Sequence, residues 1–231
     1  MIHYHGTPIT PKEQLLRMAG RNFCVSFARS DNLKTCLSIG QSVMFDNGAF
    51  TAFMQGKQFD KEAYYRWLDP ILVHPHWAVI PDVIGGSLAE QQECLASWPR
   101  ELFGYECAAP VFHLHMPLHH LNALVLGYPK VCLGSSGEYW KVGNEKWSAR
   151  MDEIFNYLAR TNRRMPYIHG LRMLSQSNGG WPLASADSTN VGQNFKRFGC
   201  AECLAQRLDG QQPVSKWKAR LEQMDLYGGD Q

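Results

Sequence analysis

Short apolar runs alternate with longer amphipathic stretches along the whole chain, and this rhythm restricts the fold more tightly than any other property of the sequence. Eight short runs can be counted, over residues 2–6, 23–28, 43–48, 77–84, 109–115, 130–134, 167–171 and 181–187. Helix-like segments lie between them at 11–19, 32–39, 61–73, 87–97, 118–126 and 144–160, and two more follow the eighth run at 194–208 and 215–224. Start signals support several of these helices. Thr10 before Pro11 and Glu13 fits an N-cap, a proline in the first helical position and an acidic first turn, and Ser87 with Glu90 has capping-box spacing. Strands alternating with helices imply parallel pairing through right-handed crossovers, and eight such units predict closure into an α/β fold, the (β/α)8 TIM-like barrel. An open doubly wound sheet is the alternative. With 231 residues, 45% of them hydrophobic, one domain spanning 1–231 accounts for the chain, the helices of 194–231 forming a short C-terminal extension.

A formal net charge of +2 neither demands nor excludes a nucleic-acid partner, because clustering of basic residues decides that. Basic residues group at Arg160, Arg163 and Arg164, at Lys196 and Arg197, and at Lys216, Lys218 and Arg220; the first two groups are expected near the barrel mouth. The seven scattered cysteines read as reduced, buried thiols. Together with the absence of a leader-like or membrane-length apolar segment, they predict a cytoplasmic protein with no membrane partner.

In a barrel of this kind chemistry gathers where the strands end, so the residues closing each apolar run are informative. They are His3 and His5, Ser26 with Arg29, Asp46, Asp82, His113 and His115, Ser135 with Ser136, His169, and Asp187. A carboxylate or imidazole ending a hydrophobic strand is costly to desolvate unless paired or used. Asp82 ahead of Gly85-Gly86 reads equally as a loop anchor, and Asp187 before Ser188-Thr189 equally as an Asx-turn. Asp46-Asn47-Gly48 has hairpin-turn character, yet the residues after it lack strand alternation. Three carboxylates converging on one mouth predict a site.

The run Met44-Phe45-Asp46-Asn47-Gly48-Ala49-Phe50 resembles the Asp-Ser-Gly-Gly-aromatic segment of the tRNA-guanine transglycosylases, barrels that exchange guanine for a 7-deazaguanine. Ile80-Pro81-Asp82, Val111-Phe112-His113, residues 133–138, Tyr167-Ile168-His169-Gly170 and Ala186-Asp187-Ser188-Thr189 follow in that family's order, so the resemblance covers roughly residues 40 to 194. It implies that Asp187 attacks the anomeric carbon and that Asp46 handles protons on the leaving and incoming bases. It further implies that Asp82, His113, Gly134 and Ser135 read the purine edge and that Phe50 and His169 sandwich the ring. The family's RNA enzymes carry a zinc site in a C-terminal extension, whereas here only Cys200 and Cys203 stand close together, as packed thiols, and no histidine follows His169. The short chain is more similar to the compact relatives, including phage-encoded ones, that modify DNA. The expectation is therefore an enzyme without metal or other cofactor, acting on DNA or tRNA, DNA favoured, together with a free 7-deazaguanine.

A rival pattern exists. His3-x-His5, His113-x-His115, His169 and Asp187 resemble the ligand set of metal-dependent amidohydrolase barrels, although the sixth strand ends in Gly134-Ser135-Ser136, without that family's histidine. A barrel that binds a nucleobase without catalysis is the third reading.

Overall fold

The computed structural model describes residues 1–178, 180–210, 215 and 217–219. Its strands are β1 (Ile2–Gly6), β2 (Asn22–Ser26), β3 (Ser42–Asp46), β4 (Trp77–Val79), β5 (Ala108–Ala109), β6 (Val111–His113), β7 (Val131–Gly134), β8 (Ile168–Gly170) and β9 (Ser185–Ser188). Between and after them come α1 (Lys12–Leu16), α2 (Leu33–Ile39), α3 (Ala49–Met54), α4 (Lys61–Leu68), α5 (Leu88–Ala96), α6 (Leu118–Gly127), α7 (Glu145–Thr161), α8 (Asn190–Asn194) and α9 (Ala201–Asp209). Every strand pair is parallel, in the order β5-β4-β3-β2-β1-β9-β8-β7-β6. The two ends of that row are neighbours in sequence, separated by Pro110 alone, which lacks the N–H a ladder needs. The Ala109 carbonyl accepts from Ile80 N–H at 2.9 Å on one side and the Pro110 carbonyl from Cys132 N–H at 2.8 Å on the other. Residues 108–113 are thus one stave, and the nine strands make the eight-stave barrel that the apolar rhythm predicts.

The two-residue period of the strands sorts side chains into two cores. Tyr4, Cys24, Met44, Trp77, Val79, Val111 and Cys132 point inward and fill the barrel. Phe23, Val25, Val43 and Phe45 point outward against Tyr64 and Leu68, and Phe112, Leu133 and Ile168 outward against α6 and α7. Helix α7 meets them with Trp147, Met151, Ile154, Phe155 and Leu158, a stripe at helical spacing.

Local chemistry starts the longer helices. Asp60 caps α4 by accepting from Ala63 N–H, Asn144 caps α7 by accepting from Trp147 N–H, and the capping box of Ser87 and Glu90 opens α5 as expected. At α1 the expectation is off by one residue: Pro11 is the N-cap, with no side-chain cap bond, and Thr10 lies outside.

One further expectation changes, and one falls largely outside the described residues. Cys200 and Cys203 form a disulfide, while Cys24, Cys36, Cys94, Cys107 and Cys132 are free. Cys200 caps α9 in an extended conformation and Cys203 stands on the first turn, which brings their Cα atoms to 5.2 Å, within disulfide reach. The helix expected over 215–224, with Lys216 and Arg220, lies largely outside the described residues. No helix among the described residues is long and apolar enough to cross a membrane.

Candidate active site

Inward phase decides which strand-end residues meet. Continuing the interior rows of Tyr4, Cys24, Met44, Val111 and Cys132 by two residues gives Gly6, Ser26, Asp46, His113 and Gly134; on β9 the same phase ends in Asp187. All six line one cavity of about 320 Å³ at the C-terminal ends of the strands, together with Phe50, Asp82 and Ser135. That volume is at the small end for ligand pockets and suits one compact ring system.

Asp46 ends β3, and Gly48, two residues on, takes φ +77°, so the chain turns sharply into α3. That turn aims Gly48 N–H at Asp46 Oδ2, 3.2 Å away. Burial pushes the Asp46 carboxyl up to about 6; the neighbouring charges of Asp187 and Asp82 add to the rise, and Ser26 and the Gly48 N–H oppose it. Asn47, which sequence reasoning passed over, is the brace of the opposite wall. Its Nδ2 donates to Asp82 Oδ1 at 2.8 Å and to the Ile80 carbonyl at 3.0 Å, while its Oδ1 accepts from Ala49 N–H at 2.8 Å. His113 Nε2 stands 2.9 Å from Asp82 Oδ2, with Nδ1 3.1 Å from Ser136 Oγ. Trp147 Nε1 donates to Ser135 Oγ at 2.9 Å, fixing that hydroxyl. Gly134 leaves room here, since a Cβ would lie 3.0 Å from Val111 Cγ1 and 3.4 Å from His113 Nδ1.

Asp187 is held from two sides. Arg172 N–H donates to Oδ1 at 2.8 Å, and His169 Nε2 lies 3.2 Å from the same oxygen. His169 Nδ1 is 2.7 Å from Ser185 Oγ. Burial lowers the His169 pKa in spite of Asp187, which favours neutral imidazole. Because a carboxylate only accepts, the neutral ring donates through Nε2–H and its Nδ1 accepts from the Ser185 hydroxyl. Beneath lies Tyr167, pushed up to about 12 by burial with Ser185 opposing, and the Lys130 ammonium sits 4.0 Å above the Trp77 ring and 4.9 Å from Tyr167. A polar column therefore supports Asp187 from within the barrel.

Asp46, Asp82, Asp187, Phe50, His113, Gly134 and Ser135 are brought together as expected from the sequence. His169 is not on the wall. It is fully buried, edge-on to Tyr4 and Trp77, so the stacking role implied for it does not fit; it props Asp187 instead. Leu171 and Arg172 take the wall position, and no sequence signal marked either. His3 and His5 are in the outward phase of β1, both within 3.1 Å of Asp209 Oδ1 at the end of α9, where Arg21 also pairs. His115 turns to the Gly86 carbonyl at 3.3 Å. The amidohydrolase ligand set is thus split between two sides of the barrel wall, and among the described residues no three His, Cys, Asp or Glu gather into a metal-binding group.

Of the basic clusters, Arg163 and Arg164 follow α7 and precede β8, which puts them at the N-terminal end of the strands, opposite the cavity. Lys196 and Arg197 lie between α8 and α9, and neither lines the cavity. Neither family models, curated proteins nor solved structures provide a match to this chain.

Proposed function

We propose that the protein is a base-exchange transglycosylase that replaces guanine in a polynucleotide, DNA in preference to tRNA, with a 7-deazaguanine. The observation that carries this reading is the contrast between two carboxylates lining one cavity. Asp187 is oriented by two N–H donors, those of His169 and Arg172, whereas Asp46 is pushed up to about 6 and can hold a proton near neutrality. Carboxyl groups in opposed environments are what a nucleophile and an acid partner require.

In the first step an Asp187 oxygen attacks C1′ of the sugar. The C1′–N9 bond breaks, its electron pair leaves with guanine, and Asp46 delivers the proton that neutralises the departing base. In the second step the incoming 7-deazaguanine attacks C1′, its ring N–H proton returns to Asp46, and the bond from C1′ to Asp187 breaks. Two inversions retain configuration. The base itself suits the opposite wall: the N1–H and exocyclic amine of guanine are donors, and Asp82, braced by Asn47, presents a carboxylate to accept them. Phe50 offers an aromatic face for stacking. A base within a duplex cannot reach such a cavity, so the nucleotide enters flipped out or single-stranded.

The deciding experiment incubates the protein with guanine-containing DNA or tRNA and a 7-deazaguanine, then looks for a covalent adduct on a denaturing gel. An adduct that is lost in Asp187→Asn is expected; absence of any adduct or exchange with both polymers would overturn the proposal.

A further inference from the structure

Among the described non-glycine residues Arg172 alone has a positive φ, +58°. A left-handed backbone at a side-chain-bearing residue is unfavourable by on the order of 1 kcal/mol or more, and glycine would adopt it freely. The arginine side chain therefore has a use that outweighs the strain. Its guanidinium carbon lies 3.9 Å from the centroid of the Phe50 ring, and both residues line the cavity. Arg172 is exposed and Phe50 is 38% exposed, so this stack stands at the rim. Among the described residues Arg172 makes no ion pair, while Arg29, also on the cavity wall, is engaged by Asp31 at 3.2 Å. The rim thus holds a guanidinium over an aromatic ring, with no hydrogen bond or ion pair of its side chain to another described residue.

Three carboxylates line the same cavity, and their field opposes the approach of any polyanion. A flipped nucleotide brings its own anion, the backbone phosphate beside the sugar, to the rim as the base goes in. A guanidinium on a ring is suited to it: the ring contact holds the head group at the rim and the fork presents paired donors to phosphate oxygens. We infer that Arg172 is the phosphate-binding residue of this site, receiving the backbone phosphate of the nucleotide whose base enters the cavity. The inference rests on the transglycosylase reading and deepens it, because it names the residue through which the site holds the polynucleotide backbone. Since Arg172 N–H also holds Asp187, phosphate docking and placement of the nucleophile act through one residue.

The test measures binding of a fluorescent single-stranded DNA tetramer with one central guanine, and of the same tetramer with an abasic residue in its place, over a range of salt. Arg172→Gly keeps the backbone N–H, relieves the positive φ and removes the charge; Arg172→Lys keeps the charge and loses the planar stack. For Arg172→Gly the expected result is weaker binding of both tetramers and a salt slope reduced by about one. Arg172→Lys should retain the wild-type slope. An unchanged slope in a folded Arg172→Gly protein overturns the inference. Equal affinity of wild-type protein for guanine and abasic tetramers would instead overturn the guanine reading, while the slope still decides the role of Arg172.

Discussion

His169 Nε2 lies 3.2 Å from Asp187 Oδ1 inside the barrel, and Ser185 Oγ holds the far side of the same ring at 2.7 Å. The imidazole therefore fixes where the carboxylate points without touching the cavity. Replacing it tests orientation separately from binding. His169→Gln is expected to lower kcat by about 10- to 100-fold while KM for the polynucleotide stays within about twofold, because a small misplacement of a reacting group is enough for that loss. Steady-state kinetics give the split, and an equal change in both constants would count against a positioning role.

Asp46 makes a prediction on stability that runs opposite to that of most aspartates. Its native pKa, about 6, stands above the ordinary value of 3.8, so the folded protein binds this proton more tightly than the unfolded chain. Its protonated form adds stability that is fully present below about pH 4 and is lost as pH rises through 6. Asp46→Asn should consequently raise the melting temperature at pH 8, by up to about 3 kcal/mol in free energy, with an advantage that fades below pH 6 and vanishes near pH 4. Base exchange should be abolished in the same variant. Thermal melts across that pH range check the sign.

Asp209 behaves in the conventional direction. Burial alone would raise its carboxyl, but the hydrogen bonds of His3 and His5 and the charges of His5 and Arg21 outweigh this and hold it well below the usual carboxylate range. Its stabilisation is present above the ordinary pKa of 3.8 and is lost as pH falls below it. Asp209→Asn removes the negative charge that His3, His5 and Arg21 share and turns one acceptor oxygen into a donor amide, and a loss of about 1–3 kcal/mol is expected at pH 7. Chemical denaturation measures it. Guanine binding should be retained, since this cluster is outside the cavity.

Gly134→Ala probes the purine wall. The added methyl meets Val111 Cγ1 at 3.0 Å, so that side chain must give way, and comes into ordinary contact with His113 Nδ1 at 3.4 Å, filling space on the cavity floor. A melting temperature within a few degrees of wild type and guanine affinity reduced by at least about tenfold are expected, the loss reflecting a methyl group in the space the base would occupy. Calorimetric titration with guanine decides; unaltered affinity would remove Gly134 from the binding surface.

The apolar rhythm determined the eight staves and their parallel order, because each strand is a short buried run and each connection a long amphipathic one. It also marked Asp46, Asp82 and Asp187, since carboxylates at the ends of hydrophobic runs are conspicuous in any linear reading. Which face of each strand turns inward was left to the tertiary structure. In β1 the alternatives are His3 and His5 or Tyr4 and Gly6, and polarity alone does not rank them; the packing of Tyr4 onto Trp77 and the reach of Asp209, 206 residues from His3, decide the phase. The same holds for His169, whose place beneath Asp187 depends on β9 lying beside β8. Arg172 was invisible to the sequence because its two properties, a left-handed backbone and a ring beneath its guanidinium, arise only when β8 and α3 meet at one rim. Local pattern carries the period of an element and the identity of its end residues, whereas phase and partnership are set by contacts between segments far apart in the chain.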